Sequence, residues 1–164
     1  MTSLRRFLVF QAFLMWQGGF LFYASFVVPA GTEVLGSPAG QGAITTRVAD
    51  ALNACGVVGL LVIAWDQAST RDPAPRRTKA RWCCWGVAAV CQGLLIVLHI
   101  WMDSCMDPGR SRVVIHPPFR PLHRTYLWTS TVQWIACLAL GWWTLRAWAA
   151  EGPRPGQGAS TGGG

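Results

Sequence analysis

The sequence predicts an all-α polytopic membrane protein, a four-transmembrane-helix bundle, and three observations predict it. Hydrophobic residues make up 52% of the 164 and charged residues only 13%, with a mean hydropathy of +0.31; in soluble domains about a quarter of the residues are charged. The apolar excess falls in four blocks, each bounded by charges or by Pro and Gly. A bilayer imposes this pattern, because a helix rising about 1.5 Å per residue needs about 20 apolar residues to cross it. Most of the Trp residues lie near block ends and read as interfacial anchors: Trp16, Trp65, Trp82, Trp85, Trp101, Trp128, Trp142, Trp143 and Trp148.

The first span is expected over 7–28, preceded by Arg5 and Arg6 and closed by Pro29. Its apolar run is too long for a secretory signal, whose core is about 7–15 residues, so it reads as a retained helix. The second span, 46–65, is short of uncharged residues. Ala51 to Trp65 alone would make a helix of about 22 Å, against a hydrocarbon core of about 30 Å. Arg47 and Asp50 must therefore enter the bilayer edge, where their i,i+3 spacing lets them neutralise each other. The third span, 82–102, and the fourth, 125–145, contain no formal charge. Residues 1–150 thus form one membrane domain. The stretch 151–164, rich in Gly, Pro and Ser, reads as a disordered cytoplasmic tail that cannot bury a core.

The net charge of +7 does not mark a nucleic-acid binder, because the basic residues sit between the apolar blocks and form no stripe with interleaved aromatics. They act as topology signals. Arg5, Arg6, Arg71, Arg76, Arg77, Lys79, Arg81, Arg146 and Arg154 fall on one side, against Arg47, Arg110, Arg112, Arg120 and Arg124 on the other. The richer side faces the cytoplasm, which puts both termini there and the protein in a cell (inner) membrane. Cys55, Cys83, Cys84, Cys91 and Cys137 lie within or at the edge of spans, where cysteine behaves as a small hydrophobe, and only Cys105 is in a loop. No CxxC pair marks a redox or zinc site.

Two groups of polar residues are candidate sites. On the fourth span, His123, Tyr126, Ser130, Gln133, Cys137 and Gly141 follow one another at steps of three and four and so share a helical face. Such a stripe serves close helix packing in lipid, with amides and hydroxyls bonding across helices. Gln11, Gly18, Gly19, Ser25, Asn53, Gly56, Gly59 and Gln92 offer matching material on the other spans, and the costly burial of bare amides predicts that they find partners. If the polar centre instead binds or conducts a small molecule or ion, Asp50, Asn53, Gln92, Tyr126 and Gln133 are the candidates. The second group is His99, Asp103 and His123. His99 and Asp103 stand at i,i+4, and His123 opens the next helix on the same membrane face. Two imidazoles and a carboxylate are a donor set for a transition metal, and two His on adjacent helices can ligate a haem. His116, beside Pro117 and Pro118, reads as a loop residue.

Two stretches carry a resemblance. Trp16-Gln17-Gly18-Gly19-Phe20 with Phe22-Tyr23 and Val27-Val28-Pro29, together with Phe119-Arg120-Pro121-Leu122-His123-Arg124, resemble a bacterial four-helix integral membrane domain of unknown function, related to small eukaryotic TMEM proteins. The chain departs from that pattern in lacking a Phe after the proline of the first helix and in its Trp-rich third and fourth helices. The resemblance implies a four-helix bundle, names no reaction and draws interest to Leu122-His123.

No GxSxG, HExxH or P-loop motif appears, and Ser130 has no base nearer in sequence than His123. The expectation is a non-enzymatic bundle acting as scaffold or partner subunit. Its partners would be the lipid bilayer, further copies of itself or another membrane protein, and it would carry no cofactor. The alternatives are binding or transport through the polar centre, and a metal or haem protein built on His99 and His123.

Overall fold

A computed structural model describes residues 2–36, 38–70, 72–105 and 119–151. Among them the chain is all-α with no strand, arranged as four long helices: α1 (Thr2–Leu35), α2 (Pro38–Ser69), α3 (Pro75–Ser104) and α4 (Phe119–Ala150). The expectations for Arg71, Arg110, Arg112, His116 and Arg154, and for the tail 152–164, lie outside the described residues.

By length and composition, three of these helices are apolar enough to cross a membrane: α1, α2 from Gly40 onward, and α3. The sequence reading expected four. Helix α4 has 32 residues and ample length, but its Trp, Thr, Ser and Gln positions dilute its Leu and Ile, so it falls outside that set.

Helix α1 runs on beyond its apolar block. Pro29, expected to close it, lies inside it, and the helix ends at Leu35 with Gly36 in the left-handed conformation at φ 62°. Two π turns interrupt it, at Leu14–Gly18 and Tyr23–Val27. The second directly precedes Pro29, where the missing proline amide breaks the i to i−4 ladder, so a widened turn accommodates the ring without ending the helix. Helix α3 begins more conventionally. Ala74 is extended, the conformation favoured before proline, and Pro75 opens the first turn. Asp72 accepts from the Ala74 amide at 2.8 Å and from the Arg77 fork, and the hydrogen bonds from Arg77 hold its carboxyl below the usual aspartate range despite partial burial.

Helices α3 and α4 form the most extensive pair, α2 packs on α3, and α1 lies against α2. Along α4 the buried residues are Thr129, Ser130, Gln133, Cys137, Leu140, Thr144 and Ala147, which turns Ser130, Gln133 and Cys137 of the stripe read from the sequence inward, while Tyr126 and Gly141 are half-buried and His123 is exposed. Leu127, Trp128, Ile135, Leu138 and Trp142 occupy the opposite, exposed face. Similar outward apolar faces run along α2 and α3, through Leu61, Val90 and Ile100. Soluble monomers rarely show apolar patches above a few hundred Å². Lipid suits such a surface.

The apolar core gathers Val9, Trp16, Leu60, Ile63, Ala88, Cys137 and Leu140. Trp16, expected as an interfacial anchor, is only 3% exposed and belongs to this core. Its ring sits against Gly56 and Gly59: a Cβ on Gly59 would stand 3.0 Å from Trp16 Cε3, and one on Gly56 would stand 2.9 Å from Trp16 Nε1 and collide with the Gln92 amide. Trp85 and Trp148 also turn inward and donate hydrogen bonds, Trp85 to the Leu60 carbonyl at 2.9 Å. Trp65, Trp82, Trp101, Trp128 and Trp142 are exposed, where an anchoring role fits them.

Candidate functional site

Three polar layers follow one another along the bundle, and α2 contributes to each. Asp50 and Asn53 are one turn apart, and Asp66 lies about 24 Å from Asp50 along the helix axis. Helix α3 runs the other way and matches them with His99, Gln92 and Arg81.

In the first layer, His99 Nε2 is 2.9 Å from Asp50 Oδ1 and 3.4 Å from Asp103 Oδ2. The His99 side chain is 8% exposed, whereas those of Asp50 and Asp103 are 63% and 37% exposed. The other oxygen of Asp103 accepts from Thr46 Oγ1 at 3.4 Å. Asp50 therefore pairs across to α3, not with Arg47 as its spacing suggested; among the described residues no ion pair reaches Arg47. Toward the start of α2, Tyr23 donates to Thr45 Oγ1 at 2.8 Å and accepts from Gln41 Nε2 at 3.2 Å, tying α1 to α2.

The second layer is a chain of amides. Gln133 Nε2 donates to Gln92 Oε1 at 3.1 Å and to the Ala88 carbonyl at 3.2 Å, while Gln92 Nε2 donates to Asn53 Oδ1 at 2.9 Å. Three helices are joined through it. The expected pairing of Asn53, Gln92 and Gln133 is thus present, made possible where Gly56 leaves room for the Gln92 side chain. Tyr126 stands apart. It is half-buried, and its carbonyl accepts the Ser130 hydroxyl at 2.9 Å.

The third layer was not foreseen. Asp66 has no exposed surface, yet its carboxylate meets Arg81 Nη2 at 2.7 Å, Arg5 Nε at 2.9 Å and the Trp148 indole at 3.1 Å. Arg5 extends on to the Ser69 carbonyl at 3.1 Å and to Glu151 at 3.0 Å. Arg6 also reaches Glu151, at 2.8 Å, and lies over the Trp148 ring. Burial pushes the Glu151 carboxyl up, but hydrogen bonds from Arg6 and Arg5 outweigh it and hold the group below the usual glutamate range. Arg5 and Arg81 are therefore buried ligands of a carboxylate as well as positive flanks of apolar blocks, and Glu151 is fixed in place at the start of the expected tail. Next to Asp66, Gln67 is 5% exposed, and neither atom of its amide has a partner among the described residues. An acid directly after an apolar run, facing a basic flank, was the available signal. Charge counting hid it.

His123, the third member of the expected metal set, is exposed and stacks on Phe119 of its own helix, with ring centroids 5.9 Å apart. The group the described residues bring together is instead Asp50, His99 and Asp103, whose donor atoms lie within 4.8 Å of one another. All six cysteines are free thiols.

No known protein family, curated protein or solved structure matches the chain. The resemblance through Trp16 to Pro29 and Phe119 to Arg124 thus has those short motifs alone behind it.

Proposed function

We propose that the chain is a four-span integral membrane bundle of a cell (inner) membrane, with both termini cytoplasmic, acting as a non-enzymatic scaffold or partner subunit. The amide chain from Asn53 through Gln92 to Gln133 carries the reading: the polar centre that would serve a substrate is consumed in joining α2, α3 and α4. Two concavities among the described residues are open and apolar, one of them a groove of about 400 Å³ between α1 and α4 lined by Phe10, Phe13, Leu14, Leu138, Gly141 and Trp142. Lipid or another membrane helix suits such a groove better than a polar solute. On this reading α4 is the fourth span, its inward stripe shielded by its neighbours while Leu127, Ile135, Leu138 and Leu145 face lipid.

Cross-linking in native membranes followed by purification in mild detergent tests the role. A stoichiometric partner protein or a defined homo-oligomer is expected. A monomer that retains no partner overturns it. Reporter fusions at both termini test the topology, with both signals expected on the cytoplasmic side.

Transport through the polar centre is the competing reading, and Asp50→Ala is its probe: lost flux in liposomes would favour it. A haem between His99 and His123 fits poorly with the Asp50 and Asp103 carboxylates on one imidazole and the exposed stacking of the other. A detergent-purified sample without a Soret band would end that reading.

A further inference from the structure

We propose that Asp50, His99 and Asp103 form a binding site for a divalent first-row transition ion of the zinc class, bridging α2 and α3 at the end of the bundle opposite Asp66. The site goes beyond the subunit role and does not depend on it. It rests on the four-span reading only for its side of the membrane, which would be the non-cytoplasmic one.

Geometry is the first support. Tetrahedral coordination with zinc-to-nitrogen and zinc-to-oxygen bonds of about 2.0–2.1 Å separates neighbouring donor atoms by about 3.3 Å. His99 Nε2 stands 2.9 Å from Asp50 Oδ1 and 3.4 Å from Asp103 Oδ2. The three donor atoms lie within 4.8 Å of one another, so the two carboxylates would close on each other by up to about 1.5 Å to reach that spacing, a change that side-chain rotation can supply.

Electrostatics is the second. A single ring nitrogen carries at most one proton, so it can donate a hydrogen bond to one of the two carboxylates while the other is left without that bond. Among the described residues no Lys or Arg pairs with either acid, so the cluster keeps a net charge of −1 with a protonated imidazole and −2 with a neutral one. A dication met by a neutral imidazole and two carboxylates removes that excess. The mixed nitrogen and oxygen donor set favours zinc-like ions over calcium or magnesium, which take oxygen ligands.

The supporting shell is the third. Thr46 Oγ1 holds the Asp103 oxygen that does not face His99, which orients the carboxylate as hydrogen-bonded partners of metal ligands do. The His99 ring is set by burial, at 8% exposed, while the two acids open outward and give an ion a route in. Three protein donors leave a fourth tetrahedral position for water.

Tag-free protein in detergent, stripped with chelator and titrated with zinc chloride by calorimetry and elemental analysis, tests the proposal. One zinc per chain is expected. Asp50→Asn, His99→Gln and Asp103→Asn should each weaken affinity at least tenfold, Thr46→Val by a few-fold, and His123→Gln not at all. Wild-type protein that takes up no stoichiometric zinc overturns the site even if a variant fails to fold. So does zinc binding that survives His99→Gln in protein of unchanged helicity, or that is lost in His123→Gln. Metal access in sealed vesicles separates the two readings: binding from the cytoplasmic face alone would leave the site standing and sink the topology.

Discussion

At the Asp66 end, one fully buried carboxylate lies between two guanidiniums and an indole; at the His99 end, two open carboxylates share one imidazole. The first arrangement joins α1, α2, α3 and α4 and gives each carboxylate, Asp66 and Glu151, two guanidinium partners. The second joins only α2 and α3 and leaves negative charge over. The same helices thus end in a lock and in an open acceptor, and the difference lies in which partners the tertiary arrangement delivers. A buried charge that loses its partner is costly, whereas an exposed pair contributes little.

The largest test of this contrast is a matched pair of substitutions. Asp66→Ala strands Arg5 and Arg81 and should cost about 3–5 kcal/mol, whereas Asp50→Ala in metal-free protein should cost less than about 1 kcal/mol. Unfolding in mixed detergent and SDS micelles measures both. Equal losses would remove the distinction between the ends. Next in size comes the notch that seats Trp16. Gly56→Ala forces Gln92 and Trp16 to shift and should destabilise by about 1–3 kcal/mol. Gly93→Ala, which meets open space, should be neutral or gain up to about 1 kcal/mol of helix propensity. Intrinsic fluorescence in a background where Trp16 is the one remaining Trp would report the first change.

These expectations also mark how far the sequence could be read. Helices were legible because apolar blocks are a local property, although three and not four of them are apolar enough to cross a membrane, and the inward turn of Ser130, Gln133 and Cys137 because helical periodicity is local too. Asn53, Gln92 and Gln133 could be paired in advance because amides at mid-span depth have few other outlets. What could not be read was rotation of one helix against another. That rotation brings Asp50 to His99, and it leaves His123 exposed on Phe119. Arg5, Asp66 and Arg81 were hidden for a different reason: charges at span ends serve topology and packing alike, and their spacing does not say which. Helix α1 outran Pro29 because a π turn absorbed the proline, a choice made over a whole turn and not at one residue.

Two smaller effects sharpen the picture. Gln133→Leu removes two interhelical hydrogen bonds and should cost between about 0.6 and 1.7 kcal/mol, in the range measured for such bonds within membranes. The smallest is a pH effect confined to the lock. The folded Glu151 carboxyl is held below its usual value, so its contribution is complete above the ordinary glutamate range and is lost as pH falls through the lowered value. Below about 1 kcal/mol in size, it should show as a loss of Tm between neutral and strongly acidic pH that is smaller in Glu151→Gln.

The link from Arg5 to Glu151 spans 146 positions of sequence, and this has a consequence for biogenesis. A ribosome delivers Arg5 with the first helix and Glu151 only after the last. Until then the latch is at most half made: Asp66 can meet Arg5 and Arg81, but Trp148 and Glu151 are still missing. Synthesis of α4 through Glu151, more than placement of any earlier helix, is the step that completes the latch.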